Sequence, residues 1–176
     1  MEKFYRTLHP RPVVLIGSGS VKAGEINFMA CSWITPIAED VPSVGFACDK
    51  EHYTRELIDK YRQFSVNITE DIELIWKVGT VSGRELNKVE AFDIKIEVGK
   101  SLDVPLIPQA LANLECKVIE EVEVGEVCFY IGEVKHWRAQ DFDDYGYKEF
   151  WRVPLHKGGK AFVFPAKKLY FPAKPK

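Results

Sequence analysis

The chain has 176 residues, 46% hydrophobic and 28% charged, with a formal net charge of −2. That length and balance suit one globular domain, spanning residues 1–176, with a sizeable core. A near-neutral chain lacks the basic face that gripping nucleic-acid phosphates requires, and no apolar run is long enough to span a bilayer.

The opening MEKFYRTLHPRP has no apolar leader core, so the chain reads as cytoplasmic. VVLIGS, residues 13–18, is a buried-strand run ended by Gly and Ser, and Gly17-Ser18-Gly19-Ser20 reads as a turn. It is no dinucleotide fingerprint, because it lacks the third glycine and the following helix. A long extended segment from Ile26 to Thr35 is stopped by Pro36, and SVGFAC, residues 43–48, forms the next strand. The period then changes. Leu57, Ile58, Tyr61 and Phe64 fall at helical spacing behind Thr54, a plausible N-cap. FSVNI, residues 64–68, returns to strand. A second helix follows Thr69, with Glu70 and Asp71 at its positive end, and stops near Gly79.

Residues 82–108 are less periodic and hold turns. LECKVIEEVEV and VCFYIGEVKHW then alternate as two strands joined at Gly125, and AFVF after Gly158-Gly159 is the last strand. The tail FPAKPK is expected to fray. Trp76 and Trp137 fit core positions. The sum is mainly β with two short helices inserted early, which points to an antiparallel barrel or sandwich.

Cys31, Cys48, Cys116 and Cys128 are widely spaced in apolar runs with no C-x-x-C pair, so they read as reduced, buried and structural. His9 and His136 have no companion at metal-ligand spacing, and no metal is assigned. Sparse Gln and Met beside abundant Lys, Glu, Ile and Val lean toward a thermophilic source.

NFMACSWITPIAEDVPSVGFACDKEHYT, residues 27–54, mixes small residues, an aromatic and a cationic corner. Alternation places Phe28, Ala30, Ser32 and Ile34 on one face. The small Ala30 and Ser32 would let a flat ligand approach the backbone, or simply make room for another element. Lys50, His52 and Arg55 surround Thr54 at a helix start. Free amides, the positive dipole end and a hydroxyl suit a phosphate there. A solvated charge run behind an ordinary cap reads equally well.

At this point the chain resembles the flavin reductase-like family, the FMN-binding split barrels that include flavoredoxins and archaeal ferric reductases. The likeness rests on RPVVLIGS, N-F-M-A-C-S-W-I-T-P, V-P-S-V-G-F-A, K-E-H-Y-T-R-E-L-I, F-S-V-N-I, V-S-G-R-E-L-N-K-V, L-E-C-K-V and Y-I-G-E-V in order. It implies a mainly β, Greek-key split β-barrel that forms a homodimer with one FMN, rather than FAD, per subunit. It further implies that Asn27, Ala30, Ser32, Trp33 and Thr35 lie along the flavin. Cys48, Asp49 and Lys50 would border the ring and ribityl chain. His52 and Thr54 would hold the phosphate, with Lys88 and Arg84 as further cations. Cys31 and Cys48 would be packing residues or redox sensors beside it.

The implied activity is an NADH- or NADPH-dependent flavin or ferric reductase, passing electrons to a small molecule or a protein. No protein side chain is expected to be catalytic, because the flavin carries the chemistry. A flavoredoxin-like electron carrier without its own nicotinamide site is the alternative, and a barrel that has lost its flavin is a third reading. His156, in PLHKGGKAF, could reach the cofactor of the partner subunit or a nicotinamide phosphate, or be an exposed turn residue.

Overall fold

The computed structural model describes residues 3–169, so the tail expected to fray, 171–176, lies outside the described residues. After a 3-10 turn at Phe4–Leu8 come β1 (Arg11–Pro12), β2 (Val14–Ser20), β3 (Glu25–Cys31), β4 (Ile34–Ala38) and β5 (Ser43–Asp49). Helix α1 (Tyr53–Tyr61), β6 (Gln63–Ile68), α2 (Ile72–Thr80) and α3 (Lys88–Ala91) follow. Then come β7 (Glu97–Val98), β8 (Pro105–Leu106), β9 (Ala112–Val124) and β10 (Val127–Ala139). The short pairs β11 (Phe142–Asp143) with β12 (Gly146–Tyr147), and β13 (Leu155–Gly158) with β14 (Ala161–Val163), end the described chain.

Seven antiparallel strands form the main sheet in the order β3-β2-β6-β9-β10-β5-β4. Its two edge strands, β3 and β4, are consecutive in the chain and joined only by Ser32 and Trp33. The sheet therefore curls until its edges meet at that join, where Ala47 N of β5 donates to Trp33 O at 2.9 Å and carries the β4–β5 pairing one step further. This is the split barrel, and it corrects two expectations. The long segment from Ile26 to Thr35 breaks at Ser32–Trp33. Pro36 lies inside the edge strand β4, beside a register shift, where the missing N–H is tolerated. The GSGS run is buried strand, not turn, because β2 pairs with β3 through all of it and with β6 as far as Ser18.

The two faces of β3 feed two cores. Met29 and Cys31 point into the barrel with Val14, Ile16, Phe46, Phe64, Cys116 and Tyr130. Phe28 and Ala30 point outward into a second layer with Ile75 and Val78 of α2, Ile94 and Ile107. Burying side chains such as Phe28 contributes roughly 1.5–3 kcal/mol each. All four cysteines are free and buried. Trp137 is not core: it is exposed on β10 and packs edge-on against Phe142. α3, which the aperiodic stretch hid, is capped by Asn87 accepting from Glu90 N. Of the three-stranded sheet β1-β13-β14, only β14 was legible, as AFVF.

Candidate functional site

Helix α1 begins at His52, not Thr54. His52 is extended and makes no side-chain cap bond; the Arg55 amide donates to His52 O at 3.0 Å, which leaves the amides of Tyr53 and Thr54 to other partners. Thr54, two residues further in, is buried. Its Oγ1 accepts from Asn27 Nδ2 on β3 at 2.9 Å, so its own hydroxyl hydrogen is left to donate elsewhere. Asn27 Oδ1 is buried and without a hydrogen-bond partner. Gly83 presses against that amide: a Cβ there would overlap Asn27 Oδ1 and stand 2.8 Å from Tyr53 Cδ1.

Around these groups is a hollow of about 260 Å³, lined by Asn27, Met29, Ala30, the α1 start from Glu51 to Thr54, the end of α2, the 80–83 loop and Lys88. Lys88 is 5% exposed. Its Nζ donates to Phe28 O and Val78 O, each at 2.9 Å, which spends two of three donors. Among the described residues no carboxylate pairs with it. Burial pushes its pKa down to about 8, since the charged form is poorly solvated there. The hollow thus combines a helix start, a hydroxyl donor, an unmet amide oxygen and a buried cation.

Ala30 and Gly79 also line a second hollow of about 210 Å³, with Val13, Ser32, Ile75, Trp76, His156 and Phe162. A Cβ on Gly79 would stand 3.1 Å from that of Ala30, so small residues keep this passage open. Ser32 in turn lines a third, open hollow of about 510 Å³, almost wholly apolar, walled by Trp33, Ile34, Thr35, Val122, Val124 and Phe129, with Arg11 at one corner. The three form a track from the α1 start past Ala30 to the Ser32–Trp33 break.

Of the residues named from sequence, the fold gathers Asn27, Ala30, His52, Thr54 and Lys88 on the first hollow, and Ser32, Trp33 and Thr35 further along the track. Four stand off it. Lys50 is drawn to Glu123 at 2.7 Å, and Asp49 Oδ1 accepts from Glu51 N in a local turn. Arg84 pairs with Glu56 at 3.0 Å over the Tyr53 ring. Cys48 is barrel core against Met29, and burial pushes its thiol and that of Cys31 up to about 12, which favours the packing reading of both. His52 is exposed, with Nδ1 4.0 Å from Cys48 Sγ.

Ser82, Gly83, Gly79 and Trp76 line the track without having been named as site residues: Gly79 reads as a helix stop and Trp76 as core, and the S-G pair in V-S-G-R is the only signal for Ser82 and Gly83. His156 is no free turn residue: it bonds Ser32 Oγ at 3.2 Å and Gly159 O at 3.2 Å.

The sequence matches the flavin reductase like domain over residues 5–150. A ferric-chelate reductase (NAD(P)H) of Archaeoglobus fulgidus is 26% identical over 135 residues, covering 76% of this chain and 77% of that protein. Among solved structures, an FMN-binding protein from Thermus thermophilus with bound 1-cyclohex-2-enone superposes with a TM-score of 0.88 at 23% identity, covering 98% of this chain and 95% of its own. Flavoredoxin from Methanosarcina acetivorans gives 0.83 at 25% identity, covering 95% and 91%.

Proposed function

The chain belongs to the flavin reductase-like family, and on that premise we propose that it holds FMN along the Asn27–Ser32 track and serves as an NAD(P)H-dependent flavin or ferric reductase. The observation that carries this reading is the first hollow, where Thr54, Asn27 Oδ1 and the unpaired buried Lys88 converge at a helix start. These groups fit a phosphate with a hydroxylated chain behind it. The Thr54 hydroxyl, the first amides of α1 and the third N–H of Lys88 are donors for phosphate oxygens, while Asn27 Oδ1 can accept from a ribityl hydroxyl. Gly83 and Gly79 supply the close approach, and Ala30 keeps the floor low.

The ring would lie towards Ser32, Trp33 and Thr35. FMN, when bound, supplies the hydride acceptance and electron release, so the chain's own residues bind, orient and exclude water. The open apolar hollow beyond Trp33 suits cover by a second copy of the chain, consistent with a homodimer.

The likeness to a flavoredoxin favours a second reading, an electron carrier reduced by a redox protein. One experiment separates the two. The protein is loaded with FMN, freed of excess, and mixed without oxygen with NADH or NADPH while the visible flavin absorbance is followed. Bleaching by either nucleotide supports the reductase. Bound flavin that bleaches only with a reduced redox protein supports the carrier. Failure to retain FMN refutes both.

A further inference from the structure

A separate polar cluster lies where the N-terminal segment, the β3–β4 break and the β13–β14 hairpin meet. Arg11 on β1 and His156 on β13 are register partners. Arg11 Nη2 lies 2.9 Å from His9 Nε2. A guanidinium keeps its protons, so Arg11 donates and His9 Nε2 accepts. The neutral imidazole then carries its hydrogen on Nδ1. That Nδ1 and Arg11 Nε are both buried and without a hydrogen-bond partner. Two unmet donors therefore belong to the same cluster.

The third member is fixed by the same logic. Gly159 O can only accept, so His156 Nε2 is the donor there, and Nδ1 accepts from the Ser32 hydroxyl. Ser32 is thus committed to His156. Among the described residues no carboxylate pairs with Arg11. Burial holds His156 below its ordinary pKa; the bond to Gly159 O works against this, and the Arg11 charge adds to it. The His9 and His156 rings stand 5.2 Å apart, and the Arg11 guanidinium lies 5.4 Å from the Trp33 ring centre. Arg11 faces the third hollow, His156 the second, and Ser32 both. The cluster therefore forms the wall where the proposed ring site opens.

We infer that His9 Nδ1–H and Arg11 Nε–H, braced by His156, seat an anionic oxygen group, carboxylate or phosphate, of the molecule that exchanges electrons with the bound cofactor. Only the identity of that molecule rests on the proposed flavin reading; the seat itself does not. It is therefore tested on the full chain without flavin. Arg Nε–H and His ring signals are followed by 1H–15N NMR while benzoate, or in a second series inorganic pyrophosphate, is added in chloride buffer.

The expected result is saturable shifts of the Arg11 Nε–H and His9 ring signals with at least one probe. Tighter binding of benzoate assigns the seat to a carboxylate acceptor. Tighter binding of pyrophosphate assigns it to the diphosphate of a dinucleotide. Arg11→Gln should weaken the bound probe at least tenfold. Arg11→Lys, which keeps the charge and protects against a folding failure, should also weaken it because the Nε donor is lost. No saturable shift with either probe, or unchanged affinity in a folded Arg11 variant, overturns the seat. Uptake of FMN by the same samples reports separately on the flavin reading.

Discussion

Lys88→Met tests whether the first hollow is held ready for an anion. A fall in lysine pKa from 10.5 to about 8 means that burial disfavours the ammonium by roughly 3 kcal/mol, at about 1.4 kcal/mol per pH unit. The folded-state value lies below the unfolded one. Between them the unfolded chain binds a proton that the folded chain has lost, so stability rises with pH across that window. From pH 7 to 9.5 the Lys88 contribution should improve by about 2 kcal/mol.

Buried thiols such as Cys31 act oppositely at high pH, because the unfolded chain ionises them first. The quantity to read is therefore wild type minus variant, from urea unfolding at each pH. At any single pH the variant also strands the carbonyls of Phe28 and Val78, at about 1–3 kcal/mol each. The slope, not the offset, carries the test. In parallel, wild-type FMN affinity should fall by up to tenfold per pH unit between about pH 8 and 9.5, as the free protein loses the Lys88 proton, and should stay flat in the variant. A difference curve without slope would refute the claim that Lys88 is an uncompensated buried cation.

Gly83→Ala should destabilise the fold by ~1–3 kcal/mol and weaken FMN uptake at least tenfold, because its Cβ would displace the Asn27 amide; an unchanged urea midpoint and affinity would mean that the loop simply retracts. Cys31 and Cys48, with thiols near 12, are expected to resist iodoacetamide at pH 8 in the folded protein and to label fully in denaturant; fast native labelling would revive the redox-sensor reading. Glu115, buried on β9, accepts from the amides of Lys100, Ser101 and Leu102 at 2.7–2.8 Å. Glu115→Gln replaces one acceptor oxygen by a donor facing those amides and should cost about 2–3 kcal/mol in thermal unfolding; a loss under ~0.5 kcal/mol would show that the loop is held by other contacts.

Patterns that act over a few residues were legible. The strand runs, the α1 spacing of Leu57 and Ile58, and the Gly125 turn follow from local periodicity and turn chemistry, and the structure has them. So has it the approach of Asn27 and Thr54, 27 positions apart, which only the ordered motif set suggested. What local pattern could not supply was long-range partners. Lys50, expected beside the ring and ribityl chain, and Arg84, expected as a cation towards the phosphate, carry ion pairs with Glu123 and Glu56. Trp137 alternates like a core residue, yet β10 extends past the barrel and leaves it outside. The β3–β4 break escaped notice because Ser32 and Trp33 continue the alternation; it is closure of the sheet that bends the chain there.

That break also explains why the two sites adjoin. A strand in a closed barrel gives one face to the core and one to whatever covers the barrel. On β3 the inner face is spent on Met29 and Cys31, while the outer face carries Phe28 under α2 and then the smaller Ala30. The step from Phe to Ala opens a gap between the barrel wall and α2, and Gly79 on α2 keeps it from closing. At Ser32 the strand leaves the sheet, and the N-terminal segment and the β13–β14 hairpin fill the vacated edge with His9, Arg11 and His156. A groove with a cationic seat at each end, Lys88 at one and Arg11 at the other, therefore follows from one shrinking side chain and one strand exit. Such a groove suits two anionic molecules meeting near its middle, which is the geometry that electron exchange between a bound cofactor and a visiting partner requires.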